Sequence, residues 1–545
     1  GRKLLYAGER DGSWNVYESR IEDDEEEWFF AATRIVETPV AATGQEEFQP
    51  RYSKNGEEVA YLTERVILTV KNLETGKTRT VLPGKFNYSY SDGDQWFDWS
   101  PDGARFAVQF LSRGRYYANA VGLVSAEGGS DPVDITNSGY DNSGPRFAMD
   151  GGLVIWTTER YGQKNHGSWG GETDVVGAFL DRETYDTFRK TKEQRQLAKG
   201  REPNKDADAK DDGEEIPAGE DDDAADDTPR TIDWAGIEDR TLRMTIHSSD
   251  LADFALTPDG RALLYLARFE NGYDLWIHDF VEESTKLAVK LGADRAALEL
   301  VDGGKAVFVL ADGELSKIAV KSGDDGTEAG KRESIATAPE MNVRPDAERA
   351  YLLDHVWRQV QQKFYDPDLH GVDWEFCRDQ YEPKLAGITN NRDFAELLSE
   401  LLGELNASHT GGRYRPRGDG GDNTPSLGVF FDGNHEGPGL RIAEILPRGP
   451  LADAELGIDV GMTIVTVDGV ELTDRTNLWA LLNNKEGRRV RLRLEPESGD
   501  PIERVVVPFG AGEEYGLLYE RWVVQRREQV RELSGGKIGY VHVRG

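Results

Sequence analysis

The segment Leu402-Gly-Glu-Leu-Asn-Ala-Ser-His-Thr410 sets a hydroxyl beside an imidazole where an apolar, periodic run gives out. Histidine titrates near neutrality, so His409 can take a proton from a serine hydroxyl and return it to a leaving amine once another group fixes its tautomer. Taken alone, a Ser-His pair is more often a helix cap or a solvated corner. A second constellation is Leu427-Gly-Val-Phe430. A Gly-containing loop of this kind can receive a peptide's terminal carboxylate on its backbone amides while the peptide adds as a strand to a sheet edge, and Leu427, Gly428, Val429 and Phe430 are the candidate peptide-binding residues. The structural alternative is the same loop with a closed or unused groove.

Other reactive side chains are sparse. The single cysteine, Cys377, excludes an internal disulfide framework, and the eight histidines include no HxxH or HExxH spacing, so neither a metal site nor a cofactor is implied. Cys377 lies near Trp374 and Phe376 on a predicted helix and is expected to be buried and inert. His166, in the Gly-rich run Asn165-His-Gly-Ser-Trp-Gly-Gly171, reads as part of a turn with a channel-lining role as the alternative, and His435 reads as solvated. No GxSxG elbow occurs in the chain.

Acidic residues outnumber basic ones 100 to 65, a formal charge of −35, which argues against nucleic acid because phosphate binding needs clustered Lys and Arg. The longest apolar stretches, such as Ala306-Val-Phe-Val-Leu-Ala311, are strand length, well short of the ~20 residues that span a bilayer. No membrane span is expected.

The elements that must hold these residues announce themselves by period. At 545 residues the chain is too long for one core, given roughly 100 to 200 residues per domain. Its first 340 residues repeat a strand, a turn of Pro, Asp, Asn or Gly, and a second apolar strand, as in Arg51-Tyr-Ser-Lys-Asn-Gly56, Phe97-Asp-Trp-Ser-Pro-Asp-Gly103, Phe147-Ala-Met-Asp-Gly151, Phe254-Ala-Leu-Thr-Pro-Asp-Gly260 and Leu300-Val-Asp-Gly303. The turn glycines 56, 103 and 151 are 47 and 48 residues apart, and 260 and 303 are 43 apart, the period of four-stranded propeller blades. The Asp-Gly pair should supply the positive-φ positions of each hairpin. Leu4 to Tyr17 look like the remainder of an earlier copy, so six or seven blades are expected with the first incomplete. Between Gly151 and Gly260 the spacing doubles, and residues 200–230 are dominated by Asp, Glu, Ala and Gly. That insertion is expected to be disordered, with a calcium loop as the sharper alternative.

From about Arg344 the period becomes 3.6. Leu352, Val356, Val360 and Phe364 share one helical face with Leu353 and Trp357 beside them, and a later helix carries Phe394, Leu397, Leu398, Leu401, Leu402 and Leu405 behind an Asn390 cap. β patterning returns at 427–431, 440–445, 463–467, 490–494 and 505–507, with short helices at 451–454 and 478–482 and a turn at Asp468-Gly469. That order fits a PDZ domain. A charged helix over 519–533 then leads into a strand from Ile538.

Phe364-Tyr-Asp-Pro-Asp-Leu-His-Gly-Val-Asp-Trp374, Tyr381-Glu-Pro383 and Leu402 to Thr410 together resemble the tricorn branch of the C-terminal processing serine peptidases, with Pro447-Arg-Gly-Pro-Leu-Ala452 and Ala454 to Gly469 resembling the PDZ domains of processing peptidases. The likeness covers nearly the whole chain. It implies a propeller over 1–340, a helical subdomain over 344–410, a PDZ domain over 424–510 and the start of an α/β catalytic domain over 512–545. It also implies a serine peptidase of oligopeptides in which the propeller gates access, His409 is the general base, Ser408 belongs to a catalytic tetrad, and the nucleophile and a glutamate come from the last domain. A homo-oligomer in the cytoplasm, with the periplasm as the alternative, goes with that likeness. Because the chain opens at Gly1 and closes at Gly545 after an apolar run, it is expected to be a piece lacking the nucleophile and inactive by itself. The competing reading is a non-catalytic peptide-binding scaffold in which His409 is incidental. A Ser-Lys mechanism is disfavoured by the Ser-His pair.

Overall fold

The computed structural model describes residues 2–10, 12–89, 91–112, 118–164, 171–199, 229–323, 326–337, 341–415 and 421–544. The chain divides into two compact units, Gly1–Ala386 and Gly387–Gly545, a boundary that falls inside the helical segment. His166 and the acidic segment 201–228 lie outside the described residues.

Six antiparallel sheets in chain order build the first unit as propeller blades. The first has three strands, Lys3–Arg10, Ser13–Ile21 and Ile35–Ala41; the other five have four each and begin at Glu47, Phe97, Asn142, Asp250 and Ala296. Their apolar cores lie between neighbouring blades. Leu62, Leu68, Val70 and Leu82 of the second blade meet Phe97, Phe106 and Val108 of the third, and Leu264, Leu266 and Ile277 of the fifth meet Leu298, Val307 and Val309 of the sixth. A strand buried on both faces cannot alternate apolar with polar, which is why Leu263 to Ala267 is a continuous apolar run. The doubled spacing is an insertion between the third and fourth strands of the fourth blade, carrying α1 (Arg182–Phe188) and α2 (Lys192–Lys199).

The repeated turns use aspartate differently from expectation. Gly103 and Gly260 take φ of 69° each, yet Asp102 and Asp259 are not left-handed and work through their side chains. Asp102 accepts from Ser100 Oγ at 2.5 Å and from the Ala104 N–H at 3.0 Å, while Ser100 Oγ accepts the Arg105 N–H at 2.9 Å. Thr257, Asp259 and Ala262 repeat the arrangement. A short polar side chain that satisfies the turn's amides does the work a second left-handed residue would otherwise do. Of the five repeated turns, Asp150-Gly151 alone has both residues left-handed; outside the repeat, Asp312-Gly313 and Asp468-Gly469 do as well.

A line of alternating charge crosses the first strands of four blades. Arg51 pairs with Asp98 at 3.3 Å, Asp98 accepts the Phe147 N–H at 2.8 Å, Arg146 pairs with Asp253 at 2.7 Å, and Asp253 accepts the Leu298 N–H at 2.9 Å. Each carboxylate takes one bond from the next blade's backbone, so the ion pairs also fix blade-to-blade register.

Helix α3 (Pro345–Lys363) docks on the first blades through its polar face. Glu9, its side chain 3 % exposed, accepts from Tyr351, from His355 Nδ1 at 2.8 Å and from Arg358. Gln359 and Lys363 engage Glu46 at 2.8 and 3.2 Å, and Lys363 reaches Asp92 at 3.1 Å. Burial alone would raise the Glu9 carboxyl, but these donors outweigh it and hold it below the usual carboxylate range. This docking corrects the expected apolar face. Leu353 and Trp357 are the buried pair of α3, whereas Leu352 is exposed and Val356, Val360 and Phe364 are half-buried. Trp357 packs with Trp374 of α4 (Trp374–Tyr381), on which Cys377 is buried as expected.

The second unit opens with α5 (Asn391–Gly403), capped by Asn390, whose side chain accepts the Arg392 and Asp393 N–H groups. A sheet follows in the order Val429–Phe431, Leu440–Ile445, Thr463–Val467, Val490–Glu495, Ile502–Val506, with α6 (Leu478–Leu482) over it. Its core gathers Leu427, Ile442, Ile464, Leu482, Leu492 and Leu494. The short helix expected at 451–454 is a 3-10 turn at Ala454–Leu456, set by Asp453 accepting the Glu455 N–H. Helix α7 (Ala511–Leu533) begins eight residues earlier than its periodicity suggests. The strand expected from Ile538 is not formed among the described residues, where Ile538, Val541 and Val543 are exposed and pair with no other strand. A strand exists only through its ladder.

Candidate functional site

Ser408 and His409 sit at the tip of a loop that α5 pins at both ends. At one end Leu405 is fully buried, and its N–H continues the helix by donating to the Leu402 carbonyl at 3.3 Å. At the other, Ser399 Oγ on α5 accepts the Gly412 N–H at 2.9 Å and lies 2.9 Å from the carbonyls of Ala395 and Gly412. The chain therefore leaves and rejoins one helix within seven residues, and the tip must turn sharply. His409 makes that turn in the left-handed region, φ 62°, where a non-glycine residue is held only by its surroundings. Thr410 Oγ1 donates to the Ala407 carbonyl at 3.1 Å and tightens the tip.

Both side chains are exposed, and among the described residues neither has a hydrogen-bond partner. The imidazole is thus accessible, and both ring nitrogens are free to engage groups brought to them. Nothing on the described surface fixes its tautomer.

The peptide-docking candidates are arranged by the sheet. Leu427 is buried in the core, Gly428 turns with φ 69°, and Val429–Phe431 is an edge strand, paired on one side to Leu440–Ile445 and on the other to no described strand. Phe430 points away from the core and is 39 % exposed. A Cβ at Gly428 would stand 3.0 Å from Phe509 Cζ and from Pro450 Cδ, closer than ordinary contact, on a backbone whose positive φ strains any side chain. An edge strand beside a glycine turn is the geometry that strand addition requires. No hydrogen bond links this loop to Ser408 or His409.

Three contacts around the loop were not read from the sequence. Ser426 donates to Glu514 of α7, Arg448 pairs with Glu520, and Arg521 forks onto Glu444 at 2.5 and 2.6 Å while lying 4.7 Å from the centre of the Phe430 ring. The one available signal was spacing: 514 and 521 are two helical turns apart and so share a face. Among the described residues no group of three or more potential metal ligands is found, and no helix is long and apolar enough to cross a membrane. His435, expected to be solvated, is half-buried with its Nε2 unpartnered.

Residues 345–403 match the family described as Tricorn protease C1 domain, and residues 443–510 the one described as Tricorn protease PDZ domain. Tricorn protease homolog 1 of Streptomyces coelicolor is 32 % identical over 266 residues, 46 % of this chain and 24 % of that relative. The tricorn protease homolog of Saccharolobus solfataricus is 22 % identical over 515 residues, 90 % of this chain and 44 % of that relative. The chain is a tricorn protease homologue. A crystal structure of the tricorn protease superposes on 99 % of the chain and 50 % of its own, with a TM-score of 0.65 at 15 % identity, which bears on the shared tricorn fold alone. The chain thus matches less than half the length of either tricorn relative named here. The C1 match ends six residues before His409, so the pair follows directly on the matched helix.

Proposed function

We propose that the chain supplies the gating propeller, the peptide-handling PDZ module and the general base of a serine peptidase acting on oligopeptides, with domains at 1–340, 344–410, 424–510 and 512–545. His409 takes the proton from the nucleophilic hydroxyl and returns it to the leaving amine, and Ser408 belongs to the group that positions it. The observation that carries this reading is an exposed, unengaged imidazole held in a left-handed turn by a loop pinned at Leu405 and Gly412. A loop fastened at both ends holds that imidazole in one place, as a general base requires. The nucleophile is assigned to no residue of this chain, and the purified 545 residues are expected to hydrolyse no peptide. The working compartment is the cytoplasm and the working form a homo-oligomer.

The test is His409→Ala in the longest natural polypeptide that contains this chain, assayed on fluorogenic peptides. A fall in kcat of about 10³-fold or more with KM little changed is expected; near-normal kcat removes His409 from the mechanism. The open edge of Val429–Phe431 also favours the second reading, a peptide-binding scaffold, which predicts peptide binding by the polypeptide with no hydrolysis at all.

A further inference from the structure

The Gly428 amide, one of those a bound peptide's terminal carboxylate would need, is already in use. It donates to Ser426 Oγ at 3.0 Å, and the same hydroxyl donates to the Glu514 carboxylate in the first turns of α7. With one bond accepted and its only proton given, Ser426 Oγ links the loop amide to a carboxylate of the chain's own. The loop is held in this state from the other sides. Ser426 exchanges backbone bonds with Phe509 at 2.9 and 3.2 Å, and the Gly428 carbonyl accepts the Leu446 N–H at 2.8 Å.

Helix α7 is fastened to the outer face of the same two strands, leaving the edge itself unpaired. Phe430 and Glu444 face each other across the first two strands, and Arg521 binds both, by its fork to the carboxylate and its plane over the ring. Glu514 and Arg521 share one helical face, two turns apart, and engage Ser426 and Glu444, while Glu520 beside that face pairs with Arg448. The loop's amide and the position of the α7 amino-terminal turns therefore share one hydroxyl.

The geometry points to Glu514 as an internal competitor that latches the PDZ loop: a peptide's terminal carboxylate reaches the Gly428 amide only when Ser426 releases it, which also frees the start of α7 from the loop. This rests on the reading of Leu427–Phe430 as a carboxylate-receiving loop. Docking a peptide and loosening α7 are then a single event, and each opposes the latch equally.

Fluorescence anisotropy with a pool of fluorescein-labelled heptapeptides ending in a free α-carboxylate, and its C-terminally amidated twin, tests this on the 545-residue chain, Glu514→Ala and Ser426→Ala. Both variants are expected to bind the free-acid pool about 5- to 10-fold more tightly than the parent while binding to the amidated pool stays unchanged. Ser426→Ala keeps α7 intact and covers the case in which Glu514→Ala disturbs the helix. Equal, carboxylate-dependent binding by all three proteins overturns the latch and leaves the loop reading standing. Carboxylate-independent binding, or none, by all three overturns the loop reading and the latch with it.

Discussion

Trp357 and Trp374 exchange hydrogen bonds: each indole N–H donates to the other residue's backbone carbonyl, at 2.9 Å in both directions. Both rings are buried, so α3 and α4 are joined by two bonds that water cannot replace. Replacing either tryptophan by phenylalanine removes one of these bonds, while the carbonyl keeps its helical donor, and is expected to cost about 1 kcal/mol. The double variant should cost less than the sum of the two singles, read from urea midpoints as a coupling of about 0.5 kcal/mol or more. Strict additivity would mean that the exchange contributes nothing of its own.

Asp279 ties the fifth blade to the sixth. Its side chain is 2 % exposed and accepts the Thr327 N–H at 2.8 Å, the Val281 and Glu282 N–H groups at 3.0 Å each, and Arg261 Nε at 3.0 Å. Burial would raise this carboxyl, but the Glu282 and Thr327 amides and the Arg261 guanidinium outweigh it and hold it below its usual value. A depressed folded pKa gives stability that is complete above the unfolded value of about 4 and is lost as pH falls through the folded one. Asp279→Asn should therefore unfold at lower urea than the parent at pH 6, with the gap closing below about pH 4. A gap that widens on acidification would contradict the assigned direction.

Ser399 is the staple between α5 and the segment after His409. Ser399→Ala removes the acceptor of the Gly412 N–H and is expected to cost about 1 kcal/mol of stability. If the proposed peptidase reading holds, the same change in the longest natural polypeptide containing this chain should lower kcat and leave KM little changed, and hydrogen exchange should quicken at 406–412 while α5 itself stays protected. A variant with unchanged exchange there would show that the staple does not hold the turn.

His409 should be dispensable for folding. Its exposed ring touches no described partner, and asparagine tolerates the left-handed region, so His409→Asn is expected to leave the urea midpoint within about 0.5 kcal/mol of the parent. A larger loss would give the ring a structural role and weaken its reading as a free base.

Legibility followed the range of the forces. Leu440–Ile445, Thr463–Val467 and Leu478–Leu482 were read at their bounds, because a one-sided burial pattern and a local cap decide them. The Asn390 cap was equally local. Helix α3's buried face was misread because Tyr351, His355 and Arg358 answer to Glu9, some 340 residues away. Helix α7 began early because Gly512 and Gly516 dilute its periodicity while Gly510 opens it and Glu513 and Glu514 favour its first turn. At the site the sequence could place Ser408 and His409 past a helix end, since periodicity stops there. It could not show the Ser399 staple or the Ser426–Glu514 latch, which join residues 13 and 88 positions apart through single side chains.

The charge line through Arg51, Asp98, Arg146 and Asp253 has a parity. Deleting the third blade alone would bring Arg51 up against Arg146, and deleting the fourth alone would set Asp98 against Asp253, like charges facing each other with no counterion between them. Blades in this sector can be lost or gained without electrostatic conflict only in twos, so the arrangement resists the single-repeat slippage to which tandem genes are prone.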